Sequence, residues 1–191
     1  MSAATGGRLR NLPRQPPMTA SFVIRDARAE EHQPLGLLMV DVYSSLDGFP
    51  GRAEQPGYYA LLADVGSFAA RPGARVLVAV AEDGVLIGGV VYFGDLSHYG
   101  AGGTATSIRN ASGVRLLAVR AEHRGSGAGK ALTVACLDAA RAAGHAEVIL
   151  HTTAAMQVAW QMYARLGFVR AADLDFLQHG LPVFGFRLRL G

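Results

Sequence analysis

The sequence holds one cysteine, Cys136, one lysine, Lys130, and one tryptophan, Trp160, among 191 residues. One thiol cannot close an intrachain disulfide, and no Cys/His cluster has zinc-ligand spacing, so neither staple is expected. A chain without them suits a reducing compartment, and the cytoplasm is the expected location. No apolar run reaches the ~18 residues that a bilayer-spanning helix needs, and no apolar segment follows the N-terminal arginines as a signal peptide requires. The chain also lacks a large charge of one sign. Three of its 18 basic residues, Arg8, Arg10 and Arg14, lie in the first 17 positions, which hold no acid, and the other 15 face 15 acidic residues. The net charge of +3 belongs to that tail, so no nucleic-acid partner is expected.

What remains is a chain that is half hydrophobic and large enough to bury one core. Residues 1–17 are rich in Gly and Pro, have little to bury, and read as a disordered basic tail ahead of a single domain over 18–191. Met18, opening "MTASFVIRD", is an alternative start. "SFVIRDA" is a strand, and Leu35, Leu38, Met39, Val42 and Leu46 recur at helical spacing after it. "DGFPGRAEQPG" is a loop, and "YYALLADVGSFAA" a second helix. "ARVLVAVAEDGVLIGGVVYFGD" is a hairpin around Asp-Gly, and "LSHYGAGGTATSIRNAS" lacks any period and reads as a surface loop. "GVRLLAV" is a strand, "RAEHRGSG" a bend, and "AGKALTVACLDAARAAG" a helix with Gly144 as its stop. Ala128, Leu132, Ala135, Cys136, Ala139 and Ala143 line one face of that helix. "AEVILHTT", "AAMQVAWQMYARL", "FVRAADLDF" and "LPVFGFRLRL" complete the order as strand, helix, strand, strand, with "LQHG" as the last turn. The order β-α-α-β-β-β-α-β-α-β-β implies a mixed α/β sheet.

The bend is the informative stretch. A strand that enters a glycine-rich turn and leaves as a helix N-terminus presents unpaired N–H groups and a positive dipole end, which suits a phosphate. The Walker A pattern places Arg124 where its first glycine belongs and Ala131 where its Ser/Thr belongs. The dinucleotide pattern G-x-G-x-x-G fits Gly125 and Gly127 and then lands on Lys130. The pattern R/Q-x-x-G-x-G/A fits Arg124, Gly127 and Gly129.

With that bend and "VAWQMYARLGF" about 35 residues later, the sequence resembles the GNAT superfamily of acetyl-CoA-dependent N-acetyltransferases from about Phe22 to Leu190. The resemblance implies a mostly antiparallel mixed sheet, helices on both faces, and a fourth and fifth strand that splay apart. It implies acetyl-CoA as acetyl donor and no metal. The pantetheine arm would follow Leu117, Ala118 and Val119, and the pyrophosphate would meet the amides of Arg124, Gly125, Ser126, Gly127, Ala128 and Gly129. Lys130 is a candidate phosphate contact and equally an exposed helix residue, and Thr152 and Met156 would border the cofactor. A primary amine would attack the thioester directly, the Val119 N–H would meet the oxyanion, and Tyr163 would protonate the leaving thiolate.

The sequence departs from the family pattern twice. Gly113 stands where many relatives carry a glutamate, and Met156 where many carry an asparagine. His98 is therefore the first candidate base, with Asp95, Asp47 and Glu54 as alternatives. His151 reads as a cleft or structural histidine, His123 as a turn residue, Trp160 as core or cleft wall, and Asp173 and Asp175 as edge carboxylates. An inactive acyl-CoA-binding module is the competing reading, and a nucleotide-phosphate binder a third. The acceptor, a small molecule or peptide amine, would be chosen by "DGFPGRAEQPG", the 95–112 loop and "LQHG". A homodimer is the family's suggestion.

Overall fold

The unbroken apolar run in "RVLVAV" can bury both faces of a strand, and the computed structural model, which describes residues 21–191, uses it so. The tail over 1–17 and the start at Met18 lie outside the described residues. Strands β1 (Phe22–Asp26), β2 (Ala74–Ala81), β3 (Leu86–Phe93), β4 (Ala111–Val119) and β5 (Glu147–Thr152) lie side by side in chain order. β8 (Leu181–Arg189) follows β5, with β6 (Val169–Arg170) on its far side and β7 (Phe176–Gln178) paired to its start. Every pairing is antiparallel except β4 with β5.

Helices α1 (His32–Ser44) and α2 (Pro56–Ala63) cover one face of the sheet, where Leu35, Met39 and Leu62 meet Val78, Val91 and Ile149. Helices α3 (Ala128–Ala142) and α4 (Gln157–Arg165) cover the other, where Leu132, Cys136 and Tyr163 meet Leu77, Val90 and Val148. The α3 face is rotated slightly from expectation. Leu137 and Ala140 are buried with Ala128, Leu132 and Cys136, whereas Ala143, already the helix cap, is exposed. Gly144 follows at φ +73° and ends the helix.

Two expected elements are broken. The second helix stops at Ala63 and continues as a 3-10 turn over Val65–Ala70. A Cβ on Gly66 would stand 2.6 Å from the His32 side chain, so the backbone turns to bring that glycine against α1. The stretch "FVRAADLDF" is not one strand but β6, a 3-10 turn over Ala172–Leu174 and the start of β7. Leu174 turns inward over Gly185, where a Cβ would lie 2.3 Å from its own. The "LQHG" turn narrows to His179 and Gly180, both at positive φ, between β7 and β8.

The feature that positions the site is a bulge in β4. Gly89 pairs with Ala118 and Val91 with Arg115, so Leu116 and Leu117 together oppose Val90. Leu116 has φ +58°, a left-handed conformation that a branched side chain rarely adopts. Pairing with β5 ends at the same place, at Val114 opposite Leu150, and the two strands part beyond it. β3 must come close to follow the bulge: a Cβ on Gly88 would stand 2.3 Å from the Ala118 carbonyl oxygen. Gly88→Ala should therefore lower the unfolding free energy by about 1–3 kcal/mol in urea titration. Gly57→Ala, whose new Cβ meets nothing within 4 Å, should be neutral or stabilising. Equal stability of the two variants would contradict the tight β3–β4 approach.

Candidate active site

After Val119 the chain makes a 3-10 turn over Ala121–His123 and reaches α3 through Arg124–Gly127. The Arg124 amide donates to the Ala121 carbonyl at 3.2 Å and the Ser126 amide to the His123 carbonyl at 3.3 Å. The Ala128 amide donates to Ser126 Oγ at 3.3 Å. The turn thus consumes three of the six amides that the motif alone suggested. Those of Gly125, Gly127, Gly129 and Lys130 have no backbone acceptor among the described residues. Gly125 and Gly127 lie at φ +81° and +90°, with nothing within 4 Å of a Cβ placed on either, so the bend is an open concavity at a helix N-terminus. An anionic phosphate fits it, and Arg124 and Lys130 are exposed at its rim.

The strand edge leading to this concavity is unpaired. Arg120 donates its amide to Ile87 on β3 at 2.9 Å. By the alternation of an antiparallel ladder, the neighbouring Val119 N–H points the other way, to the side that β5 has left. Leu117 shares that side, and the Tyr43 hydroxyl lies 3.5 Å from its carbonyl oxygen. Tyr163, on α4, is 6 % exposed. Burial, with small contributions from Tyr99 and Cys136, holds its phenol well above the ordinary tyrosine range, so it remains protonated and keeps a hydrogen to donate. The Cys136 thiol is pushed up to about 12 by burial and is no nucleophile.

On the α1/α2 side the parted strands open into a cleft. Tyr43, Phe49 and Tyr58 form one wall, with ring centroids 5.6–5.8 Å apart. Burial raises both phenols, that of Tyr58 to about 12. Phe49 comes from "DGFPGRAEQPG", Ala101 from the 95–112 loop and Gln178 from "LQHG", so each segment expected to choose the acceptor reaches the cleft. Because the bulge doubles one position, the consecutive residues Arg115 and Leu116 both line it. Thr152, Thr153 and Met156 line the end nearest α4.

The titratable candidates scatter. His98 sits on the 3-10 turn Leu96–His98, 4.0 Å from Asp95 and outside the cleft lining. Asp95 accepts the Ser97 amide and Glu54 the Gly51 amide, each closing its own turn, and Asp47 is exposed. Asp173 is paired with Arg187 at 2.8 Å and Asp175 with Arg170 at 2.7 Å, and the arginines hold both carboxyls below the usual range. Trp160 packs on Phe184 and Phe186, and His123 ends its 3-10 turn.

His151 does line the cleft, with both ring nitrogens engaged. Nε2 lies 2.9 Å from the Leu174 carbonyl and must carry the hydrogen; Nδ1 then accepts from the Tyr99 hydroxyl at 3.0 Å. Tyr99 also explains the glycine at position 113. A Cβ there would stand 2.4 Å from the Tyr99 ring, so the aromatic side chain occupies the space a glutamate would need. The residues that sequence reasoning passed over here are Tyr43, Tyr58, Tyr99, Arg115 and Thr153. Arg115 alone had a readable signal, as the one charge inside the apolar "GVRLLAV".

The family model for the acetyltransferase (GNAT) family matches residues 39–168. No curated protein matches the sequence. Among solved structures, a GNAT-family acetyltransferase from Staphylococcus aureus Mu50 superposes with a TM-score of 0.70 at 15% identity, covering 90% of this chain and 100% of its own. PaiA N-acetyltransferase from Thermoplasma acidophilum, in complex with coenzyme A, gives 0.67 at 17% identity over 89% and 99%. YncA from Salmonella typhimurium, with its cofactor acetyl-CoA, gives 0.61 at 19% identity over 90% and 95%. These likenesses establish a common fold.

The engaged histidine has a pH signature. Burial first, and the Arg115 cation to a lesser extent, lowers the His151 pKa below its usual 6.5, against the opposing Leu174 carbonyl and Asp175. Between the folded and unfolded values the unfolded chain binds one proton more, so stability is full above about 6.5 and falls as pH drops through the folded value. The loss should begin before the paired carboxylates contribute, since Glu31, held at about 2 by Arg25, and its like lose stability only below about pH 4.5. Urea titrations at pH 7.5 and 5.5 should show the loss, and His151→Gln should flatten it. An unchanged slope in His151→Gln would refute the assignment.

Proposed function

The chain belongs to the acetyltransferase (GNAT) family, and on that premise we propose that it is an N-acetyltransferase that moves the acetyl group of acetyl-CoA to a primary amine by direct attack. The observation that carries this reading is the continuity of three features: an anion cradle at Gly125–Lys130, an unpaired strand edge at Leu117–Val119, and an aromatic cleft where β4 and β5 part. Acetyl-CoA, when bound, supplies an activated acetyl thioester. The amides of Gly125, Gly127, Gly129 and Lys130, with the helix dipole behind them, suit its pyrophosphate. Arg124 adds a cation at the rim. The Leu117–Val119 edge offers amide groups to pantetheine, and Met156 borders it from the start of α4, while Thr152 lines the aromatic cleft.

Within this reading the Val119 N–H is a preorganised donor for the oxyanion, because its strand neighbour is already committed to β3. The protonated Tyr163 phenol gives its proton to the leaving thiolate. No carboxylate lines the cleft among the described residues, and the His151 nitrogens are taken. The amine therefore binds unprotonated, and its surplus proton leaves through water. His98 can contribute only through such a water path, since it lies outside the lining.

The decisive measurement is thiol release from acetyl-CoA across a panel of amines. Turnover with at least one amine is expected, whereas tight acetyl-CoA binding with no turnover would favour a binding module that has lost catalysis. Tyr163→Phe should lower kcat about 10²–10⁴-fold with little change in acetyl-CoA affinity; an unchanged rate across the pH range would remove it as the acid. Gly127→Asp, which puts bulk and negative charge into the cradle at φ +90°, should abolish coenzyme A binding in calorimetry. Undiminished affinity in that variant would count against the cradle.

A further inference from the structure

The acceptor cleft has an unusual charge balance. Arg115 is the one charged side chain that lines it; no Asp, Glu or Lys does, among the described residues. Two acidic residues on segments that reach the cleft are spent elsewhere: Glu54 on the Gly51 amide and Asp175 on Arg170 and the Gly185 amide. Arg115 is half-buried and fixed in place, with Nη1 donating to the Tyr99 carbonyl at 2.6 Å and the guanidinium 5.5 Å from the Tyr99 ring centroid. One hydrogen bond leaves most of its five N–H donors available. Two further groups in the same cleft want partners. Thr152 and Thr153 are 2 % and 5 % exposed, and neither Oγ1 has a hydrogen-bond partner in the structure. Buried hydroxyls are rarely left without a protein, water or ligand partner.

A polyamine, an aminoglycoside or a lysine side chain would have to shed water from its cations beside Arg115, with no carboxylate to compensate. An anionic group meets the opposite situation, since a guanidinium fork matches a carboxylate and two hydroxyls can donate to it. The aromatic wall of Tyr43, Phe49 and Tyr58 and the opposing Phe176 suit an apolar body. Resting on the acetyl-transfer reading above, we infer that the acceptor is an amine that carries a carboxylate in the same small molecule, a free amino acid with an apolar or aromatic side chain. Arg115 binds the carboxylate, Thr152 and Thr153 assist it, and the amino group faces the edge at Val119.

The test uses the unmodified full-length protein first. Thiol release is measured with phenylalanine, leucine and methionine, each against its amide and its decarboxylated amine, and with spermidine and kanamycin as cationic acceptors. The expected result is that kcat/KM for the amino acids exceeds that for the uncharged or cationic partners by about tenfold to a hundredfold, as loss of a charge-assisted contact implies. In Arg115→Met that ratio should fall to about one, mainly through KM, and Arg115→Lys should restore part of it. Ratios near one in the unmodified protein, or a preference for spermidine or kanamycin, would overturn the inference while leaving amine acetylation intact. A binding measurement does not depend on turnover. With coenzyme A saturating, N-acetylphenylalanine should bind in calorimetry and N-acetylphenethylamine should bind at least about tenfold more weakly. If no amine is acetylated and this preference persists, the transferase reading falls and the carboxylate site stands; if the preference is absent, the site falls.

Discussion

The chemistry on both faces of the sheet depends on one backbone irregularity, the extra residue in β4. At Leu116 the strand adopts a left-handed conformation, and the β4–β5 ladder ends two residues earlier. The bulge has two consequences that a regular strand could not combine. It shifts the alternation of the strand, so that Arg115 and Leu116 both face the α1/α2 cleft. It also takes Leu117 and Val119 away from β5, so that their outward amides meet no neighbouring strand. Strain at a branched residue is a cost of order 1–3 kcal/mol, tolerated because the surrounding core holds the position, with Leu116 buried among α1 residues.

The same opening connects the two faces of the sheet. The cradle lies at the start of α3, on the side of Tyr163, and the aromatic cleft on the side of Tyr43. The sheet separates them everywhere except where β4 and β5 part. Tyr163 raises the Tyr43 phenol and is itself raised by Tyr99, and both of those lie beyond that gap. A regular ladder through Val119 would close the passage.

Tyr99, Gly113, His151 and Leu174 form the support behind the cleft. The ring of Tyr99 needs a residue without a side chain at 113, its hydroxyl orients His151, and the other nitrogen of His151 is fixed by the Leu174 carbonyl. Gly113 is therefore a packing requirement of Tyr99, and among the described residues no carboxylate lines the cleft beside Arg115.

The sequence by itself determined the bend, the hairpin at Asp-Gly, the helix stop at Gly144 and the family, because each rests on backbone preferences or spacings within a few residues. It also marked the three loops that reach the aromatic cleft. Tertiary structure alone decided which amides of the bend stay free, since that depends on how the turn closes on itself. It also decided that Thr152 and Thr153 are buried without partners, that His98 lies outside the cleft, and that Arg115 is the one charged side chain lining it among the described residues. Those properties arise where α1, α2, β4, β5 and β7 converge, and a bulge that reverses the facing of a strand leaves no local mark in a run as uniform as "VRLLAV".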